Sequence, residues 1–91
     1  MKLVAGVKSM QTELVKVLKK KFDMDAEIDR VDDTLLVTIT LKPASVYAAI
    51  SNSKIEVLHT PDLIEDFEVV ATYPLHSDAH TIAQLMCELV R

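Results

Sequence analysis

Glycine is almost missing from this chain, which contains only Gly6 in 91 residues. The phosphate-binding loops of nucleotide enzymes, the dinucleotide fingerprint and the nucleophile elbow of hydrolases all require several glycines at fixed spacings. The scarcity of glycine therefore excludes these classes of site. Tryptophan is absent and the aromatic residues are two tyrosines and two phenylalanines, which leaves few rings on which nucleic-acid bases could stack.

Cysteine is equally scarce, and Cys87 alone cannot form an internal disulfide. Such usage is typical of a reducing compartment. The longest apolar runs, such as residues 35–37, are far too short to cross a bilayer, and residues 1–11 lack the apolar core of a signal peptide. With 49% hydrophobic and 26% charged residues, the composition is that of a globular protein. We predict one domain over residues 1–91, located in the cytoplasm and without a membrane partner.

Two segments show the spacing of apolar residues at three and four that marks an amphipathic helix. The first stripe runs from Val7 to Phe22 with lysines outside it, which predicts a helix from about residues 7–9 to 22. Residues 2–5 extend this helix or form a short strand. The second stripe predicts a C-terminal helix over residues 78–91. The residues expected to be buried in that helix are Ile82, Leu85 or Met86, and Leu89.

Residues 25–41 alternate apolar and polar side chains, as in a β-hairpin. Ala26 and Ile28 are the expected inward side chains of its first strand. The turn is placed at residues 32–33, because aspartate side chains hydrogen-bond to their own backbone and tolerate positive φ. Further strands are predicted at residues 54–58 and 67–73.

Two prolines indicate short helices, because proline suits a first helical position. Pro43 opens one that extends to about Ser51, with Asn52 as a candidate C-cap, and a helical turn is predicted over residues 60–66. The resulting order, α-β-β-α-β-β-α, predicts an α+β two-layer sandwich. We expect a four-stranded, mainly antiparallel sheet with the N-terminal and C-terminal helices packed on one face.

Charge is divided unevenly along the chain. Residues 1–22 carry six lysines and one glutamate (+5), whereas residues 23–91 carry four basic and thirteen acidic residues (−9), which together give −4. A calcium loop beginning at Asp23 would need glycine at its sixth and glutamate at its twelfth position, where the chain has Ile28 and Thr34. The acidic run is either a solvated strand face or a contact surface. The candidate partner-contact residues are Asp23, Asp25, Glu27, Asp29, Lys16, Lys19 and Lys20.

Nucleic acid is not an expected partner. The basic run over residues 16–21 is short, the chain as a whole is acidic, and no stacking aromatics accompany the lysines. Lysines near a helix C-terminus are also explained by the helix dipole.

The segment His76-Ser77-Asp78-Ala79-His80 is the nearest approach to a metal-binding motif. Zinc needs a third and usually a fourth ligand, and Cys87 lies two helical turns from His80, roughly 10 Å along the axis. Ser77 or Asp78 is the expected N-cap of the last helix. Metal binding by His76, Asp78 and His80 is therefore the less favoured interpretation, and no metal or cofactor is predicted.

Catalysis is not predicted either. Cys87 falls late in a helix, where the dipole does not lower the pKa of a thiol, and no acid–base pair converges on a nucleophile. Neither a catalytic residue nor a small-molecule substrate is evident.

The helix "MQTELVKVLKKKF" and the closing strand and helix "FEVVATYPLHSDAHTIAQLMCELV" resemble, in pattern, small phage tail-completion (tail terminator) proteins. The resemblance implies a twisted sheet, assembly into rings through sheet edges, and a location in the host cytoplasm and the virion. The edges of an open sheet pair with other chains unless they are blunted. The opposed charges of the first helix and the rest of the chain also suit head-to-tail contacts.

We therefore expect a non-enzymatic protein–protein interaction or assembly module that forms a homo-oligomer. The alternative is a small acidic inhibitor or adaptor that binds a basic protein surface through residues 23–33.

Overall fold

The computed structural model describes residues 2–61 and 67–91. Its elements, in chain order, are α1 (Ala5–Phe22), β1 (Glu27–Val31), β2 (Thr34–Leu41), β3 (Ala44–Ile50), β4 (Ile55–Thr60), β5 (Glu68–Tyr73) and α2 (Ala79–Val90). The strands form one open antiparallel sheet in the order β1-β2-β3-β4-β5. The α+β class and the antiparallel sheet are confirmed, whereas the predicted four strands and the order α-β-β-α-β-β-α are wrong.

The segment after Pro43 is strand β3 and not the predicted helix. Every second residue from Val46 to Ile50 is buried beneath the helices, and the residues between them are half-buried on the opposite face. The helical interpretation grouped Val46 with Ala49 and Ile50. Because both faces of this central strand are apolar, helical and strand periods cannot be separated over seven residues. Lys42 and Pro43, joined by a cis peptide bond, form the tight turn from β2 to β3.

Apart from the segments over residues 43–51 and 60–66, the predicted helices and strands are present. The hairpin turns at residues 32–33, and Asp32 has a positive φ of 54°. Residues 2–4 are neither helix nor strand, and α1 begins at Ala5, earlier than the predicted start. Of the helical turn predicted over 60–66, Thr60 belongs to β4 and residues 62–66 lie outside the described residues.

Both helices pack on the same face of the sheet, over β2, β3 and β4. Val37, Ala48 and Val57 lie in register across these three strands and are fully buried. Each helix contributes its apolar stripe to this core, where a fully buried aliphatic side chain contributes about 1.5–3 kcal/mol. The fully buried helical residues are Val7, Leu14, Leu18, Ile82, Ala83 and Met86. Neither described helix is long and apolar enough to cross a membrane.

The two outer strands extend beyond the helix layer. Ile28 on β1 lies opposite Val37 and therefore on the helix side of the sheet, yet it is 62% exposed. The prediction that Ile28 is buried is wrong because β1 is an edge strand at the margin of the helix layer, where α1 covers it only in part. Alternation located the correct face of the strand but carries no information on how far the covering layer extends.

Candidate interaction surface

The segment from His76 to His80 forms the entry to α2. Asp78 is the N-cap, and its Oδ2 accepts hydrogen bonds from the backbone N–H of Thr81 at 3.2 Å and from the Thr81 hydroxyl at 3.1 Å. Of the two predicted caps, Ser77 and Asp78, the structure selects Asp78. His76 and His80 are exposed, and the His80 ring lies 5.5 Å from the Phe22 ring between centroids.

The described residues around this segment do not add further metal ligands to it. A depression of about 500 Å³ lies between α1 and the loop from Leu75 to Asp78, and the Leu75 side chain closes on Gly6. Within residues 2–61 and 67–91, no group of three or more His, Cys, Asp or Glu side chains is placed to hold a metal ion. The segment therefore acts as a helix cap at the contact between α1 and α2.

Cys87 belongs to the core. It is buried on α2, and burial raises the pKa of its thiol, an effect that the positive charge of Arg91 opposes. Because the thiolate is the nucleophile and the metal ligand, this environment makes the side chain inert.

The structure separates the predicted partner-contact residues into two groups. Asp23 and Asp25 lie at the C-terminal end of α1, where the Lys19 Nζ is 3.7 Å and 3.0 Å from their Oδ1 atoms. The hydrogen bond to Asp25, assisted by both negative charges, raises the pKa of the Lys19 ammonium group. Asp23 also ends the helix in the left-handed conformation, φ 54°, and its N–H donates to the Lys19 carbonyl at 3.1 Å. Lys16 and Lys20 are exposed on α1.

Glu27 and Asp29 form the second group. On β1 they lie opposite Thr38 and Leu36, which places them on the face of the sheet turned away from the helices. The predicted acidic surface over residues 23–33 is therefore not one face. Its first half pairs with Lys19, and Glu27 and Asp29 border a different surface.

That surface is an apolar row on the side of the sheet that faces away from both described helices. It runs across four strands and consists of Leu36 on β2, Tyr47 on β3, Leu58 on β4, Val69 on β5 and Phe67 just before β5; we call these five residues the open face. Tyr47 lies opposite Leu58, and Leu58 opposite Val69. Leu36 is the diagonal neighbour of Tyr47, within reach of a large side chain.

The aromatic rings organise the middle of the open face. The centroids of Tyr47 and Phe67 are 4.5 Å apart with an interplanar angle of 65°, an edge-to-face contact. Partial burial raises the pKa of the Tyr47 hydroxyl, and the negative charge of Glu56 adds to this shift. Phe67 remains 39% exposed and Val69 52% exposed. A solvated sheet face normally carries polar residues, so an apolar row on this side of the sheet is a candidate contact surface.

Carboxylates border the open face on one side. Glu27 and Asp29 line its β1 edge, and Glu56 on β4 lies 3.8 Å from the Lys54 Nζ. The described surface is thus acidic along β1 and carries the apolar row from β2 to β5, with Glu56 on β4 beside the row.

Sequence reasoning missed the open face for two reasons. Strict alternation assigns Leu36, with Thr38 and Thr40, to the polar side of the second strand, and a helix over residues 43–51 does not place Tyr47 on any sheet face. The signal that could have found it is the pair of adjacent apolar residues within a strand, such as Leu35-Leu36 or Val69-Val70. Adjacent residues of a regular strand point to opposite faces, so such a pair makes both faces apolar.

Comparisons of the chain with protein-family models, with curated proteins and with solved structures found no match. The resemblance to phage tail-completion proteins stays a prediction.

Proposed function

We propose that this protein is a non-enzymatic assembly module in which two copies pack their open faces against each other. The observation that carries the proposal is the apolar row Leu36, Tyr47, Leu58, Phe67 and Val69, which lies on a sheet face that none of the described helices or strands covers.

The open side of the sheet is large enough for such an interface. The sheet has five strands; with strands about 4.8 Å apart and about 20 Å long, it presents roughly 500 Å². Two copies face to face would bury roughly 1,000 Å², the lower bound for a specific interface. Sheets packed in this way interdigitate their side chains into a core about 10 Å thick.

Charge favours one orientation of the two copies. A two-fold axis parallel to the strands lays β1 of one copy over β5 of the other, whereas an axis across the strands lays β1 over β1. The second arrangement opposes Glu27 and Asp29 to their own counterparts, and like charges across an interface are costly. The first sets them over Val69 and Thr72, which carry no charge. We therefore assign the strand-parallel axis.

The test is the mass of the protein in solution, measured by sedimentation equilibrium from micromolar to millimolar concentration. Leu58→Lys places a charge in the middle of the open face, and Leu58 is only half-buried, so the fold should persist. Gln84→Lys adds the same charge to the exposed side of α2 and is the matched control. We expect a lower average mass for Leu58→Lys than for the wild type, and no change for Gln84→Lys. A wild-type chain that is monomeric at millimolar concentration, or a folded Leu58→Lys chain of unchanged mass, would overturn the proposal.

A second candidate function is favoured by the carboxylates beside the open face. Because Glu27 and Asp29 border the apolar row, a foreign protein with an apolar centre flanked by lysine or arginine would fit the same surface, as an acidic inhibitor or adaptor requires. A monomeric chain that binds poly-L-lysine, and loses this binding in Glu27→Lys/Asp29→Lys but not in Glu13→Lys/Glu88→Lys, would favour this candidate.

A further inference from the structure

Strand β5 is an edge of the sheet with few protective features. Within the described part of the chain it pairs with β4 alone. From Val69 to Tyr73 it carries no charge, and Pro74 follows only after the strand ends. Edge strands that stay unpaired are normally blunted by lysine, by other charges, by an internal proline or by a β-bulge; of these, β5 has the bulge at Val70 and the charge of Glu68 at its first position.

The opposite edge is built differently. β1 carries Glu27, Asp29 and Arg30 within five residues. In addition, the Gln11 side chain on α1 donates through Nε2 to the carbonyl of Asp29 at 3.4 Å. The two edges of the same sheet therefore differ in how strongly they discourage another strand.

Both edges of the sheet expose apolar side chains: Val69 is 52% and Val70 44% exposed on β5, and Ile28 is 62% and Val31 54% exposed on β1. On β5 these residues belong to a stretch without charge, whereas on β1 they alternate with charged residues. The open face also reaches this edge at Val69 and does not end inside the sheet. A strand added beside β5 would continue the apolar row.

We propose that β5 pairs antiparallel with β5 of a second copy, so that five strands from each copy form one continuous sheet. This site goes beyond the proposed function, since it is formed by backbone groups of the edge and does not require the open face to be covered. The occupant is a second copy of this chain and not a foreign peptide, because the strand is complementary to itself in both charge and register.

The bulge in β5 sets this register. Val57 pairs with Ala71 and Leu58 with Val69, so Val70 is an extra residue without a partner on β4. In a regular strand, residues at an odd separation point to opposite faces. The bulge shifts this alternation, so that Glu68 and Tyr73 both lie on the helix side, opposite His59 and Ile55, and Val69 and Thr72 both lie on the open side.

These side-chain directions match when two copies of β5 pair antiparallel about a two-fold axis between Val70 and Ala71. This pairing sets Glu68 opposite Tyr73 and Val69 opposite Thr72, so each pair shares a face and no like charges meet. The corresponding self-pairing of β1, centred on Asp29, would oppose Asp29 to itself. Charge and register therefore both select β5.

Two different two-fold contacts on one chain generate a continuing assembly, in which each copy joins one neighbour by its open face and another by β5. The two contacts are tested separately by the substitutions Leu58→Lys and Val70→Lys. Ile28→Lys is the matched control, since Ile28 is a 62% exposed aliphatic residue on the other edge strand and lies on the helix side, away from the open face. In sedimentation equilibrium we expect a dimer for each of Leu58→Lys and Val70→Lys, a monomer for the double variant, and the wild-type mass for Ile28→Lys.

The outcomes distinguish the two proposals. A monomeric Leu58→Lys chain would overturn β5 pairing and leave the open-face contact standing. A Leu58→Lys chain of wild-type mass, together with a reduced mass for Val70→Lys, would overturn the open-face contact and leave β5 pairing standing. Loss of assembly in both Ile28→Lys and Val70→Lys would replace two-fold pairing by head-to-tail contact of β1 with β5.

Proximity provides a second readout. In a Cys87→Ala background, Val70→Cys should be joined between copies by a short bis-maleimide, because residue 70 lies next to the two-fold axis, whereas Val31→Cys should not. Cross-linking of Val31→Cys alone would overturn the assignment of the edge.

Discussion

Asn52, in the turn between β3 and β4, accepts a hydrogen bond through Oδ1 from the backbone N–H of Val4 at 2.8 Å. Val4 is the N-cap residue of α1, and its own side chain makes no capping bond. The Asn52 Nδ2 also donates to the Lys2 carbonyl at 3.1 Å. A residue 48 positions away thus holds the start of the first helix against the sheet. The sequence pattern predicts Asn52 as the C-cap of a helix over residues 43–51, where the structure has strand β3.

Removal of this tether should destabilise the fold. Asn52→Ala loses hydrogen bonds to both Val4 and Lys2, and with a net value near 1 kcal/mol for each we expect a loss of about 1–2 kcal/mol in the free energy of unfolding. Asn52→Asp keeps the acceptor for Val4 but has no donor for the Lys2 carbonyl, so its loss should be smaller. Urea denaturation measures both. An Asn52→Ala midpoint equal to that of the wild type would show that the tether contributes nothing.

The cap of α2 permits a sharper comparison. Asp78→Ala removes the acceptor for Thr81 and should cost about 1 kcal/mol, whereas Asp78→Asn retains an oxygen in that position and should cost less. Ser77→Ala should change little, since Asp78 and not Ser77 is the cap. Thermal melts followed by circular dichroism test the order of the three variants. Equal destabilisation by Ser77→Ala and Asp78→Ala would contradict the assignment.

Two isoleucines of the sheet distinguish the core from the overhanging edge. Ile39→Asp buries an unpaired carboxylate beneath the helices, at a cost of several kcal/mol, which is comparable with the whole stability of a typical domain. Ile28→Asp makes the same change at an exposed site and should cost no more than about 0.5 kcal/mol. Melting curves should show no cooperative transition for Ile39→Asp and a near-native one for Ile28→Asp. The reverse result would mean that the helix layer covers β1.

Local chemistry made much of this architecture predictable. The apolar stripe from Val7 to Phe22 keeps the helical spacing over sixteen residues, too many for a typical strand. The aspartate at position 32 indicates the turn of the first hairpin. Strand β3 was not predictable by the same reasoning, because Val46, Tyr47 and Ala48 make both faces apolar and leave no period to detect. The exposure of Ile28 depends on where the helices stop across the sheet, which is a tertiary property that alternation within one strand does not encode.

The candidate surface was less accessible to sequence reasoning than the fold. Glu27 and Asp29 were recognised as outward-facing, since alternation assigns sides correctly. Their neighbours on the open face come from four separate strands, and only the register of Tyr47 with Leu58 and of Leu58 with Val69 brings them together. A surface assembled across strands leaves only a weak local signal, namely adjacent apolar pairs within a strand.

Alkaline pH should lower the stability of the protein. Burial raises the pKa of the Cys87 thiol in the folded state, so its contribution is present below the unfolded pKa of about 8.5 and is lost as pH rises through the folded value. The raised pKa values of Tyr47 and Lys19 act in the same direction at higher pH. Urea midpoints should therefore fall above about pH 8.5, and Cys87→Ala should remove the earliest part of the decline. Rapid reaction of native Cys87 with a thiol reagent, before unfolding, would contradict its burial.

Charge reversal on β1 tests the orientation of the face-to-face contact. Glu27→Lys/Asp29→Lys moves the net charge from −4 to 0, and Glu13→Lys/Glu88→Lys makes the same change on α1 and α2. In the strand-parallel arrangement, Glu27 and Asp29 lie over the uncharged side of β5, so neither double variant should alter the mass in solution strongly, and salt should have little effect. Loss of assembly in the β1 variant alone, with matching loss at high salt, would mean that these carboxylates meet lysines of a neighbouring copy. Five of the eight lysines lie on α1, and contact with them would mean that the copies associate head to tail, with the helix of one chain on the sheet of the next.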